Sequence, residues 1–321
     1  MVTAEANVFG NTSHIHEAVP EMVSAPGLSS SSAQQEAQHI LEHLLTKLQD
    51  PQSKYYARYA KWILRHPNLV PFSMDCVRPQ VWHALEKGLD YKTIKAVAGD
   101  FAWQARGIYF DAVLGAPSDP HTRTRTRLYI GQSTNLRLRI AQHSKFRYRR
   151  DNPSLHYHAL HKSEDNAYGT LVVLPGKEMG GMRLPGMDNE GLLLDVLEMW
   201  MCLVFRCLQG ETLEAWVPRD VEGQGELGGL NVWAPVERYD RGREMVDLRA
   251  SGDWLVAEWG ELKRGEWKER VMKELDLEER KEEKDVKPLR VETTAPWVYA
   301  IGGAIGGAVM MWIVWRRVRG R

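Results

Sequence analysis

The 321-residue sequence predicts an α+β protein that carries one transmembrane helix near its far end, and three observations support this. Two β-branched and aromatic runs, Gly107-Ile108-Tyr109-Phe110 and Arg127-Leu128-Tyr129-Ile130, bracket a segment holding Gly115, Pro117, Ser118, Asp119 and Pro120, which reads as a hairpin with a wide turn. Beyond Gly131 the apolar period lengthens, and Leu136, Ile140 and His143 fall three or four apart, so the second strand feeds a helix. Far downstream, residues 297–315 run for 19 positions without a charge.

Taken in order, residues 1–32 are polar, with a serine tract and no continuous apolar run. They read as a disordered tail and not as a signal peptide. Residues 33–100 form a helical region: Ile40, Leu41, Leu44, Leu45 and Leu48 repeat at helical spacing, and after Pro51 a second helix over 53–65 places Tyr56, Tyr59 and Trp62 on one side. Pro79-Gln80-Val81-Trp82 starts a third helix and residues 91–98 a fourth. Such a lead-in either packs on the sheet or forms a small interaction module. A third strand is expected at Thr170-Leu171-Val172-Val173-Leu174, after a short helix within 152–162.

Residues 189–208 then read as a helix that is apolar all round, the pattern of a core helix. Asp195 and Glu198 stand out inside it, because a buried carboxylate costs several kcal/mol unless a cation or donors meet it. Either an arginine pairs with them or they bind a metal. Residues 211–255, with Trp216, Trp233 and Trp254 among Gly and Pro, form a loop-rich cover, and 256–294 are dense enough in charge to predict a solvated helix or linker.

The span over 297–315, within a segment of 295–316, is about 28 Å long as a helix and matches a hydrocarbon core of about 30 Å. Trp297, Tyr299, Trp312 and Trp315 lie toward its ends as interfacial aromatics do, and a basic tail, 317–321, follows. Gly302 with Gly306 and Gly303 with Gly307 form two small-xxx-small pairs. They either support self-association or reflect the tolerance of membrane helices for glycine. The expected topology is single-pass with a C-terminal anchor and the preceding domain on the cytosolic side of an unspecified organelle.

The formal net charge is zero, with 42 basic and 42 acidic residues, so contact with a polyanion has to be local. Cys76 is remote from the other two cysteines. Cys202 and Cys207, five apart on one helix, sit about 140° around its axis and cannot bridge there, which suits a reducing compartment. Arg123, Arg125 and Arg127 alternate with threonines and share one strand face, while Lys145, Arg147, Arg149 and Arg150 follow the first helix after the hairpin. They form either a phosphate-tracking surface or an ordinary charged edge. His156, His158 and His161 lack a fourth ligand at zinc spacing and read as a surface or DNA-facing group.

The ordered set Gly107-Ile108-Tyr109, Tyr129-Ile130-Gly131, Arg139, His143 and Glu198 resembles the GIY-YIG nuclease domain over about residues 101–210. The resemblance implies a small three-stranded antiparallel sheet flanked by helices, and hydrolysis of DNA phosphodiesters with one divalent cation, Mg²⁺ or Mn²⁺. It places the catalytic arginine at Arg139, eight residues after Gly131, and the metal-binding glutamate at Glu198. It makes Tyr109 and Tyr129 the motif tyrosines, with Tyr109 taking a proton from the attacking water, and gives His143 a role in positioning water or phosphate. Asn231 stands for the asparagine that often follows the glutamate helix. The long segment between the two tyrosine motifs departs from the family pattern. No separate specificity domain is evident, which favours structure-dependent over site-specific cutting. The rival expectation is a catalytically inactive module of the same family that binds nucleic acid or protein at a membrane.

Overall fold

The computed structural model describes residues 30–99, 105–115, 125–176, 184–221, 227–238 and 248–263. They fall into two compact units, one made of 30–140 and 158–238, the other of 141–157 and 248–263. In chain order the helices and strands are α1 (Ser32–Leu48), α2 (Tyr56–Leu64), α3 (Leu69–Asp75), α4 (Pro79–Lys87), α5 (Tyr91–Val97), β1 (Arg106–Gly115) and β2 (Arg125–Ser133). They continue as α6 (Leu136–His143), α7 (Phe146–Asp151), α8 (Leu155–His161), β3 (Ser163–Leu174), α9 (Glu190–Val204), α10 (Gly210–Trp216), β4 (Gly228–Gly229) and α11 (Trp254–Leu262).

In the first unit α1 opens on a capping box: Ser31 Oγ accepts from the Gln34 amide at 3.3 Å while Gln34 Oε1 accepts from the Ser31 amide at 2.9 Å. Its buried Ile40, Leu41, Leu44 and Leu48 belong to the same hydrophobic core as Ile108, Phe110, Leu128 and Ile130 of the sheet. The Trp200 indole of α9 donates to the Ala37 carbonyl at 2.7 Å, so the lead-in helices share the core of the sheet. The α3 helix was not expected from the sequence. It is seven residues long, too short to display a period, and carries Pro71 in its first turn. An Asp90–Thr93 capping box starts α5.

The sheet order is β3-β1-β2-β4, with β1 antiparallel to both neighbours and β4 parallel to β2. It is therefore a four-stranded mixed sheet, not the three-stranded antiparallel sheet expected. The added strand is built from Gly228 and Gly229. A Cβ at Gly229 would stand 2.4 Å from the Cys207 carbonyl oxygen, so glycine is what admits this backbone to the sheet edge. β3 also begins seven residues before the apolar run at Thr170, because edge strands accept polar residues such as Glu164, Asp165 and Asn166.

Thirteen of the fifteen residues of α9 are buried, as a helix apolar all round requires. It ends at Val204, so Cys207 lies off the helix, beyond Arg206 at φ 52°, and the Cys207 amide donates to the Cys202 carbonyl at 3.0 Å. The angular argument against a Cys202–Cys207 bridge therefore does not apply. Both thiols are free.

In the second unit Asp253 caps α11 by accepting from the Leu255 amide at 3.1 Å, and Leu255, Val256 and Trp259 are buried. The start of the segment expected to be solvated thus carries a buried face. The rest of that segment, the hairpin turn at 116–120, Arg123, the first 29 residues, and the span at 297–315 with Gly302, Gly303, Gly306 and Gly307 lie outside the described residues. Among the described residues no helix is long and apolar enough to cross a membrane.

Candidate active site

The β1–β2 register sets Tyr109 directly opposite Gly131. A Cβ at Gly131 would come within 2.4 Å of the Tyr109 hydroxyl and 2.5 Å of its Cζ, so the Tyr109 side chain occupies the space that a residue at 131 would need. On the other side of β1, a Cβ at Gly107 would stand 1.9 Å from the Val172 carbonyl oxygen of β3. Both motif glycines are steric requirements of strand approach and tyrosine packing. Tyr109 and Tyr129 are on the same face, with ring centroids 6.3 Å apart, and Tyr109 forms a small buried cluster with Leu136 and Ile140.

That cluster fixes α6. The helix starts where Asn135 Oδ1 accepts from the Leu138 amide at 3.0 Å, with Ser133 Oγ accepting from the Asn135 amide at 2.9 Å, so Asn135 is the cap. One turn on, Arg139 Nε donates to the Tyr109 hydroxyl at 3.2 Å. Burial pushes the Tyr109 phenol well above its ordinary range, and the nearby Arg139 charge only partly opposes this. Tyr129 is pushed up to about 12, first by burial and then by the Glu198 charge. The Tyr109 hydroxyl accepts from Arg139 and so helps to orient the guanidinium.

The α9 carboxylates are one turn apart and both buried. Asp195 Oδ1 accepts from Gln132 Nε2 at 2.8 Å, Asp195 Oδ2 from Arg58 Nη2 at 3.2 Å, and Arg238 Nε lies 3.6 Å from Oδ1. Glu198 Oε2 accepts from Arg238 Nη2 at 2.5 Å. Burial raises Asp195, opposed by Gln132, Arg238 and Arg58, and pushes Glu198 up to about 7, opposed by Arg238, Gln132 and Arg139. Glu198 also raises both motif tyrosines electrostatically, so four side chains from β1, β2, α6 and α9 interact about the Gly131 end of the sheet. Asn231 is held against the sheet. Its side chain accepts from the Ile130 amide at 2.9 Å and donates to the Ile130 carbonyl at 2.7 Å, extending the edge of β2.

The basic residues divide differently from expectation. Arg125 is exposed, but Arg127 is only 1% exposed, beside Gly115 and the β4 edge, and is not part of an open phosphate-facing surface. In the second unit Arg147 is exposed, Arg149 donates to the His143 and Ser144 carbonyls at 3.0 and 3.3 Å, and Arg150 pairs with Asp151 at 3.2 Å. His143 belongs to this unit. It is buried, with Nδ1 2.8 Å from the Tyr157 hydroxyl and its ring 5.2 Å from that of His156. The expected surface histidine group is therefore not one: His156 and His158 are buried and only His161 is exposed.

Gln132, Arg58 and Arg238 do not stand out in the sequence. Gln132 directly follows Gly131 and is the most accessible of the three to sequence reasoning; Arg58 and Arg238 carry no local signal. Among the described residues no three His, Cys, Asp or Glu side chains gather to hold a metal. The donor set fits a hard divalent cation in one form. Magnesium takes one or two carboxylates and completes its shell with water and phosphate oxygens, and the Glu198 carboxylate already has a cationic partner in Arg238. A cation there would have to take the place of the Arg238 guanidinium, which is itself open to solvent. No family model, no curated protein and no solved structure matches this chain.

Proposed function

We propose that this chain is a metal-dependent nuclease that hydrolyses DNA phosphodiester bonds and acts on DNA structure, held at a membrane by residues 297–315 with its catalytic part on the cytosolic side. The observation that carries the reading is the arrangement of Tyr109, Arg139 and Glu198, three residues from separate elements, around one strand end, with a buried carboxylate raised to about 7. Buried ionisable groups with strongly raised values are costly to keep and cluster at functional sites.

In this reading Arg139, oriented by the Tyr109 hydroxyl, binds a non-bridging oxygen of the scissile phosphate and balances the charge that develops on it. Glu198 would hold Mg²⁺ or Mn²⁺, which would supply Lewis-acid charge and lower the pKa of a bound water. Gln132 and Arg58 keep Asp195 occupied, leaving Glu198 as the cation-binding carboxylate. Exposed Arg125 and Arg147 contribute phosphate contacts.

One observation favours a second reading, a catalytically inactive nucleic-acid-binding or protein-binding module at a membrane: both carboxylates already have protein donors, including Arg238 on Glu198 at 2.5 Å. The full-length chain in detergent micelles, incubated with plasmid and branched DNA in Mg²⁺, Mn²⁺ or EDTA, separates the two. Metal-dependent cutting is expected. Salt-sensitive binding with no cutting under any metal supports the inactive module instead.

A further inference from the structure

Glu198 and Asp195 are buried on α9, yet the cation that touches both of them is not. The Arg238 side chain is 43% exposed, with Nη2 2.5 Å from Glu198 Oε2 and Nε 3.6 Å from Asp195 Oδ1. By contrast, the backbone behind it is fixed. Arg238 follows a short 3-10 turn over Pro235–Glu237, the Arg238 amide donates to the Pro235 carbonyl at 3.1 Å, and the Tyr59 hydroxyl donates to the Val236 carbonyl at 3.3 Å. Glu237 of the same turn is clamped by Lys54 at 3.0 Å and by the Tyr55 hydroxyl. A side chain that is solvent-facing on an anchored backbone leaves its carboxylate by rotamer change, giving up its charge-assisted hydrogen bond to Glu198 and its ion contact with Asp195. Arg58 and Gln132 hold Asp195 meanwhile, so the departure of Arg238 leaves Glu198 as the carboxylate most in need of a cation.

We infer that Arg238 and a divalent cation compete for the Glu198 carboxylate, so that Arg238 sets the cation affinity of the site and holds it closed when no cation is bound. The inference rests on the proposed metal-binding role of Glu198. It adds a residue that lies 40 positions downstream and belongs to none of the motifs that suggested the site. Arg238 is here a positioning residue: it acts through Glu198.

The test is direct Mn²⁺ binding, read by the loss of free-ion paramagnetic resonance signal, on the full-length chain without DNA. Parent, Arg238→Gln, Arg238→Lys, Glu198→Gln and the Arg238→Gln/Glu198→Gln pair are compared, each checked by circular dichroism. Arg238→Gln is expected to bind Mn²⁺ about tenfold or more tightly than the parent, Arg238→Lys to stay close to the parent because it keeps a cation, and both chains carrying Glu198→Gln to lose the site. Glu198-dependent binding in the parent that Arg238→Gln leaves unchanged or weakens overturns the competition and leaves the metal reading standing. Absence of Glu198-dependent binding in every chain overturns the metal reading, and the competition with it.

Discussion

At the Tyr109 end of the sheet, position is enforced by shape. Tyr109 fits because residue 131 has no side chain, β3 approaches because residue 107 has none, and Leu136 and Ile140 close the cluster. On the facing turn of α9, position is enforced by charge: two desolvated carboxylates are matched by Gln132, Arg58 and Arg238. The difference teaches where each region tolerates change. Shape constraints between neighbouring strands admit few substitutions and show no pH dependence. Charge balance in a buried site depends on pH and on whichever cation is present.

The largest effect that sharpens this contrast belongs to Arg139, which joins the two regions. Arg139→Ala is expected to lower single-turnover DNA cleavage by about 10²–10³-fold with the fold retained, as removal of a charge-stabilising donor does elsewhere. A rate within a few-fold of the parent would break the link between the Tyr109 cluster and the chemistry.

Next comes the pH dependence of stability. Glu198 is raised from the usual carboxylate range to about 7, so between about pH 4.5 and 7 the folded chain binds more protons than the unfolded one. Stability from this group therefore falls as pH rises through that window. In EDTA, Glu198→Gln is expected to gain stability over the parent by up to about 3 kcal/mol above pH 7, and the gain is expected to fade toward pH 4.5. Urea unfolding at a series of pH values measures it; an equal difference at all pH values would contradict the burial account.

Gly131→Ala should destabilise by about 1–3 kcal/mol at every pH, because the added methyl meets the Tyr109 side chain in a packed cluster. A pH-dependent loss would mean that shape and charge are not separable at this strand end. The smallest effect concerns DNA contact. Arg147→Ala is expected to reduce the salt slope of DNA binding by about one unit. Arg127→Ala, at a buried position, is expected to lower the melting temperature and leave that slope unchanged.

The same contrast explains what the sequence revealed. The hairpin, the helix carrying Arg139 and the core helix carrying Glu198 follow from local period and from glycines adjacent to the residues they serve, all within short windows. β4 escaped notice because a Gly-Gly pair in a loop-rich stretch has no strand pattern of its own; its place is set by the close approach of Cys207. The partners of Asp195 and Glu198 come from α2, β2 and the turn after Pro235, and no period links residues 58, 132, 195 and 238. Strand alternation put Arg125 and Arg127 on one face, but burial along that face is not periodic: Arg127 is buried and Arg125 is exposed. The histidines at 156 and 158 looked superficial because helix α8 is only seven residues long, and burial in so short an element is decided by its neighbours.

Cleavage of branched DNA by Glu198→Gln at pH 8 in Mg²⁺, on full-length protein shown by circular dichroism to be folded, bears most directly on the central claim. The claim is that this buried carboxylate is kept for chemistry at the expense of stability. It predicts a parent that cuts and a variant that is more stable than the parent in EDTA yet does not cut above background in Mg²⁺. A variant that cuts at the parent's rate would contradict it and return Glu198 to the role of a structural ion pair with Arg238.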